Sequence, residues 1–312
     1  MSSSKTHRSI SKLSLRFAIN GSRLAVAGSC ALGGNAAAQQ LPTPFALASQ
    51  LDLECHQAVG PAPAPNLFIR QLNPVLQDRL PNQQVVLGPL EDVCVPVQKN
   101  NQTPGPLALP IARWVDLACY EAHAAPVDVD VDLTHLNPVL NGLPDEHVKI
   151  TELEQLCVPV RKNNSVIPPA VQQIVSHFDF ACYGLEEPTS DAGVPLVLSH
   201  LNPVIRAMQL GDRRVVLQRA RQLCVPVGKD AQPIPAAASQ LVRWVDFLKY
   251  NVAPQNAAAI PAIQAPIPLW LTHLNPLFDG APQFFTVLQA PLKLLVPVAK
   301  DGVFPPNAGG AE

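Results

Sequence analysis

Charge and aromatic rings are both scarce in this chain. Charged side chains make up 15% of its 312 residues, aromatic ones 5%, and the formal net charge is −2. No basic footprint of the kind that draws a protein to phosphate backbones is present, so no nucleic-acid partner is expected. No stretch approaches 18 uninterrupted apolar residues, so no transmembrane span is expected. G-x-S-x-G, H-E-x-x-H and Gly-rich phosphate loops are missing, which removes the commonest signatures of hydrolytic and nucleotide chemistry. No C-x-x-C spacing occurs, which argues against zinc held by paired cysteines. The first 38 residues contain no Asp or Glu.

What is present points to short strands. There are 34 prolines, and hydrophobic residues reach 47%. That much proline opposes long helices, because its ring removes a donor and clashes with the preceding turn; the apolar content opposes a disordered chain. At the N-terminus, Lys5, Arg8, Lys12, Arg16 and Arg23 precede "LAVAGSCALGGNAAA". A basic start, an apolar stretch and an A-x-A exit read as a bacterial-type secretory signal peptide over residues 1–38, cleaved before Gln39. "AGSC", ending at Cys30, loosely resembles a lipoprotein box, but Arg23 leaves little apolar run ahead of it. Loss of the leader removes five of 22 basic residues and leaves 17 against 24 acidic ones, a formal charge of −7.

The remainder repeats, and a repeat governs every other reading. "QLNPVL" from Gln71, "HLNPVL" from His135, "HLNPVI" from His200 and "HLNPLF" from His273 place Asn73, Asn137, Asn202 and Asn275 at spacings of 64, 65 and 73 residues. Each is preceded by an opening string: "LDLECHQ" from Leu51, "WVDLACYE" from Trp114, "HFDFACYG" from His177 and "WVDFLKYN" from Trp244. Each is followed by a closing string: "CVPVQKNN" from Cys94, "CVPVRKNN" from Cys157, "CVPVGKD" from Cys224 and "LVPVAKD" from Leu295. The chain therefore divides into β repeats at 45–101, 109–164, 173–230 and 240–302, with a tail over 303–312. "VDVDVDL" from Val127 alternates as a half-buried strand does. Asn-Pro suits a turn, and the proline of V-P-V suits an edge or a bulge, since it cannot donate to a ladder. About four strands per repeat are expected: opening, pre-LNP, post-LNP and closing. "RAMQLGDRRVVLQRARQL" is read with them as strand–turn–strand.

Seven cysteines occur, and Cys30 lies in the leader. The other six fall one per opening and one per closing string: Cys55 and Cys94, Cys119 and Cys157, Cys182 and Cys224, separated by 39, 38 and 42 residues. The fourth repeat has Lys249 and Leu295 instead, both partners lost together. Six cysteines permit 15 pairings, and joint absence favours disulfides within repeats; Cys94 with Cys119 and Cys157 with Cys182 is the rival arrangement. A loop near 40 residues would gain ~4 kcal/mol in the chain-entropy picture. Antiparallel register then brings Asp52, Asp116, Asp179 and Asp246 toward Lys99, Lys162, Lys229 and Lys300, each pair expected to be exposed and worth under ~1 kcal/mol.

"CYE…LCVPVRK" and "CYG…LCVPVGK" resemble a family of tandem repeats in secreted bacterial proteins, catalogued as a domain of unknown function. The likeness spans about residues 45–302; it departs at His56, where the family's usual residue is Tyr, and at both cysteine positions of the fourth repeat. The resemblance implies an extracellular setting and repetition, and no reaction.

The fold class expected is all-β: four tandem repeats of about 60 residues, each a small barrel or sandwich, arranged as a linear array, with a four-bladed propeller as the alternative. Gln71, His135, His200 and His273 could line a metal ring if the repeats closed; bracing of the Asn-Pro turn is the preferred reading. Asp128, Asp130 and Asp132 could form a calcium stripe, but a solvated strand face is preferred. No catalytic, cofactor or metal residue is assigned. The functional expectation is a secreted, non-catalytic structural or binding protein whose partner is an extracellular protein or glycan; the alternative is an extracellular carbohydrate-active or hydrolytic enzyme.

Overall fold

The computed structural model describes residues 40–63, 66–256 and 266–307. The signal-peptide reading and Cys30 lie outside the described residues.

Among the described residues, thirteen strands form one antiparallel sheet. Segment one supplies β1 (Asp52–Gly60), β2 (Asn66–Gln71) and β3 (Gln83–Lys99). Segment two supplies β4 (Leu117–His123), β5 (Val129–His135) and β6 (Glu146–Lys162), and segment three β7 (Phe180–Leu185), β8 (Pro195–His200) and β9 (Arg213–Lys229). Segment four supplies β10 (Phe247–Pro254), β11 (Ile267–His273), β12 (Phe284–Leu288) and β13 (Pro291–Lys300). Short helices α1 (Pro44–Ala48), α2 (Leu109–Ala112), α3 (Pro169–Val175) and α5 (Ala236–Val242) precede the four opening strands. Helix α4 (Pro203–Ala207) occupies the start of the stretch read as strand–turn–strand: Asn202 caps it and Pro203 sets its first φ, so the residues after Asn-Pro coil for one turn.

Two expectations are corrected. In segments one to three the post-LNP and closing strands are one continuous strand of 17 residues, bent at irregular register between Leu87 and Asp92 in β3 and between Ile150 and Gln155 in β6. The bulges bend one strand where two were expected, without breaking it. The segments also do not fold as separate small barrels, separate blades or a linear array. β3 pairs with β4, β6 with β7 and β9 with β10, so each closing strand hydrogen-bonds the next opening strand. β13 returns to β1. With the pairs inside each segment, β1–β3–β4–β6–β7–β9–β10–β13 is a closed circuit of eight strands. The physical reason is edge satisfaction: a lone unit of this size would leave two exposed edges, and sharing them removes both.

The V-P-V prolines sit where a closing strand changes partner. Pro96, Pro159, Pro226 and Pro297 lie opposite Leu53, Leu117, Phe180 and Phe247 of their own opening strands. Their carbonyls accept from the N–H of Leu201, Leu274, Leu72 and Leu136, the leucines of L-N-P two segments away. Past the proline, the strand ends pair with the pre-LNP strand of that same segment: β3 with β8, β6 with β11, β9 with β2 and β13 with β5.

Strand alternation separates two cores. The cysteine-bearing face, with Leu53, Leu117, Phe180 and Phe247, packs beneath Leu47, Ile111, Val175 and Leu241 of the helices. The opposite face carries Tyr120, Tyr183 and Tyr250, with the valines of the closing strands.

Candidate functional site

The three disulfides are Cys55–Cys94, Cys119–Cys157 and Cys182–Cys224, joining residues directly opposite in register. The rival partners Cys94 and Cys119 approach to 3.7 Å between sulfurs without bonding.

The Asp–Lys pairs form as well, but buried. Lys99, Lys162, Lys229 and Lys300 meet Asp52, Asp116, Asp179 and Asp246, with every side chain nearly inaccessible. What encloses them is the Asn-Pro turn of the following segment. Asn137, Asn202, Asn275 and Asn73 donate from Nδ2 to Asp52, Asp116, Asp179 and Asp246 at 2.6–2.7 Å. Their Oδ1 atoms accept from the N–H two residues on, which holds the turn. Each Asp is thereby held by the Lys of its own segment and the Asn of the next, and Asn73 carries the pattern from segment four back to segment one. Burial pushes Asp116, Asp179 and Asp246 up to about 6 and pushes the lysines down, with the opposite charge only partly compensating.

Four further stations join segments two apart. The residue before L-N-P meets the residue after the opening cysteine position. Gln71 donates to Tyr183 Oη at 2.9 Å, His135 shares a 2.8 Å hydrogen bond with Tyr250, and His273 one of 2.9 Å with Tyr120. These residues neither brace the turn nor gather into a ring.

The fourth station breaks the pattern. His200 faces His56, not a tyrosine, with ring centres 6.2 Å apart. Glu54 stands where the other opening strands have Ala118, Ala181 and Leu248. Its carboxylate pairs with Arg213 through Oε1 and lies 3.7 Å from His56 Nε2 through Oε2. All four side chains are buried. His56 Nδ1 is 3.0 Å from the Gln289 carbonyl, which can only accept. Burial pushes His56 down to about 4 and His200 to about 3, with the neighbouring charge of Lys162 acting in the same direction, and pushes Arg213 down to about 9. Glu54, His56 and His200 bring one ligand atom each within 4.8 Å of one another, the one such group among the described residues. His200 also lines a cleft of about 400 Å³ with Ser199, Arg206 and Asp212.

Two other places depart from repetition. Lys249 fills the missing cysteine position and donates to Asp92 at 2.9 Å and to Gln155, while Lys293 donates to Asp92 at 2.7 Å. Burial opposes the Asp92 charge, but the two ammonium groups prevail and hold its carboxyl far below the usual range. On the surface, Trp270 and Phe285 remain about half exposed (49% and 50%) and meet edge to face at 5.4 Å. Asn163, Asn164 and Gln283 complete a cleft of about 510 Å³ around them.

Asp130 and Asp132 of the acidic stripe approach His147, and Asp128 approaches Lys149, so these carboxylates have cationic neighbours on an exposed face. Sequence reasoning overlooked Glu54 and Arg213. For Glu54 a signal was available: a charged residue in a column where the other segments carry Ala118, Ala181 and Leu248. Arg213 offered none, since its column holds Gln83, Glu146 and Phe284.

Among the described residues no helix is long and apolar enough to cross a membrane. Comparison with family models, curated proteins and solved structures finds no match.

Proposed function

We propose that this chain is a secreted, non-catalytic protein of four β repeats whose role is to bind extracellular glycan. The Trp270–Phe285 cleft carries the reading. Large apolar side chains left half exposed together mark contact surfaces, and aromatic faces pack against the C–H faces of sugar rings while flanking amides serve the hydroxyls. Asn163 Oδ1 is taken by the Trp270 N–H and Asn164 Oδ1 by Gln283 Nε2, which leaves the Nδ2 groups of Asn163 and Asn164 and Oε1 of Gln283 for the hydroxyls. The three disulfides suit an oxidising compartment. Most other polar groups recur at equivalent positions and are occupied by one another, which suits a scaffold.

The experiment is titration of the mature protein with a panel of cell-envelope and plant oligosaccharides, read by tryptophan fluorescence and calorimetry. Saturable binding abolished by Trp270→Ala and weakened by Phe285→Ala is expected. A hydrolytic enzyme is the second reading, favoured by the unrepeated charged station at Glu54, His56, His200 and Arg213, which lies beside a cleft. Product release from the same panel, lost in Glu54→Ala, would decide for it; absence of binding across the panel would reject the glycan assignment.

A further inference from the structure

We propose that Glu54, His56 and His200 form a binding site for a zinc-type divalent transition-metal ion. The Gln289 carbonyl accepts at 3.0 Å from His56 Nδ1, so Nδ1 carries the ring proton and Nε2 presents a lone pair. That lone pair faces Glu54 Oε2 at 3.7 Å. Two acceptors are thus aimed at one another inside the protein; Arg213 neutralises the carboxylate from its Oε1 side, and no donor stands between Oε2 and Nε2. A second imidazole, His200, adds its nitrogen within 4.8 Å of both. Among the described residues, His56 Nε2, His200 Nδ1 and both Glu54 oxygens have no hydrogen-bond partner, nor do Nη1 and Nη2 of Arg213 beside them, an expensive condition for buried polar atoms.

The dimensions agree. Tetrahedral zinc bonds of about 2.0–2.2 Å set neighbouring ligand atoms about 3.3–3.6 Å apart. Glu54 Oε2 and His56 Nε2 are already near that separation, and His200, within 4.8 Å of both, needs to close by about 1.5 Å at most. Two imidazoles and one carboxylate form a donor set suited to first-row transition metals rather than to calcium or magnesium. The surrounding shell is in place too. A carbonyl orients His56, and Arg213 holds the other carboxylate oxygen, Oε1, leaving Oε2 for the ion. Three protein ligands leave a fourth position, and the cleft beside His200 gives an entry path.

The other three stations pair a tyrosine with Gln or His and carry Ala or Leu at the position of Glu54; only here do the imidazole and the carboxylate enter together. This inference is independent of the glycan reading, since His200 and Trp270 line different clefts.

The test uses the mature, oxidised protein stripped with chelator. Titration with Zn²⁺ followed by calorimetry, and with Co²⁺ followed by visible absorption, should show one saturable equivalent and a rise in Tm. Three substitutions borrow residues from the other stations: His56→Tyr, His200→Gln and Glu54→Ala. The first two should abolish the cobalt band, and the third should weaken binding about 10- to 100-fold. Should a variant fail to fold, nitrogen NMR of the unaltered protein gives an independent reading: Zn²⁺ should shift His56 Nε2 and leave Nδ1 protonated. No saturable equivalent, or binding and an unchanged cobalt band in both histidine variants, would overturn the proposal.

Discussion

Asp116 has a buried lysine on one oxygen and a neighbouring segment's asparagine on the other. Such a pair is a poor source of stability, because removing two charges from water offsets most of their attraction. The shifts in both partners, carboxyl upward and amine downward, express that imbalance. What the pair supplies is geometry: the Asn-Pro turn can dock only where an oriented carboxylate waits. His135 permits a cleaner test of burial. Its imidazole is pushed down to about 4 by burial, then by the Lys99 charge, with Asp145 opposing. Unfolded, a histidine titrates near about 6.5. Between those values the unfolded chain binds a proton that the folded chain refuses. The stability contribution is therefore whole above the unfolded value and is lost as pH falls through the folded one. Gln71 makes the same kind of bond to Tyr183 at the equivalent station, so His135→Gln keeps the contact without the titration. Thermal melts should show the wild type losing ground to the variant from about pH 7 down to about pH 4.5; a constant difference in Tm would reject burial as the cause. The partner of Asp116 in its own segment was legible from antiparallel arithmetic. The partner of Asn202 was not, because it comes from another segment and no local spacing encodes it.

The closing strands teach the same lesson one level up. Alternation in "VDVDL" gave β5 its buried and exposed faces, and the cysteine columns gave the register of β1 with β3. Strand count was overestimated, since a bulge and a turn have similar local composition. Segment four, where β12 and β13 are separate strands, is also the one without a disulfide. Lys249 lies directly opposite Leu295, as Cys119 lies opposite Cys157. The double variant Lys249→Cys with Leu295→Cys should therefore oxidise unaided, seen as loss of alkylatable thiol. Closing that loop is worth up to ~4 kcal/mol in the chain-entropy picture. Against this, Asp92 and Gln155 lose the Lys249 ammonium, at about 1–3 kcal/mol for buried groups left unpaired. The urea midpoint of the oxidised variant should exceed that of the wild type, by less than the oxidised and reduced forms of the variant differ. A double variant that stays reduced in air would show that the fourth segment lacks the geometry of the other three.

Closure makes the molecule more than a row of its parts. In a linear array each unit touches only its neighbours, and stability adds unit by unit. Here β13 hydrogen-bonds β1, while β5 and β11 tie segments two and four together across the circuit. An opening strand, its closing strand and the next opening strand share edges all the way round, so no segment can leave without exposing two others. Unfolding should accordingly be one transition, with calorimetric and van't Hoff enthalpies equal. Val296 tests the point locally: it is fully buried on β13 opposite Leu248. Val296→Asp places an unpaired charge in the shared core, a change expected to cost several kcal/mol. Hydrogen exchange should then report lost protection not only in segment four but equally on β4 and β6, which hold the Cys119–Cys157 bond on the far side of the circuit. Protection retained there while segment four exchanges freely would mean that the segments fold independently after all.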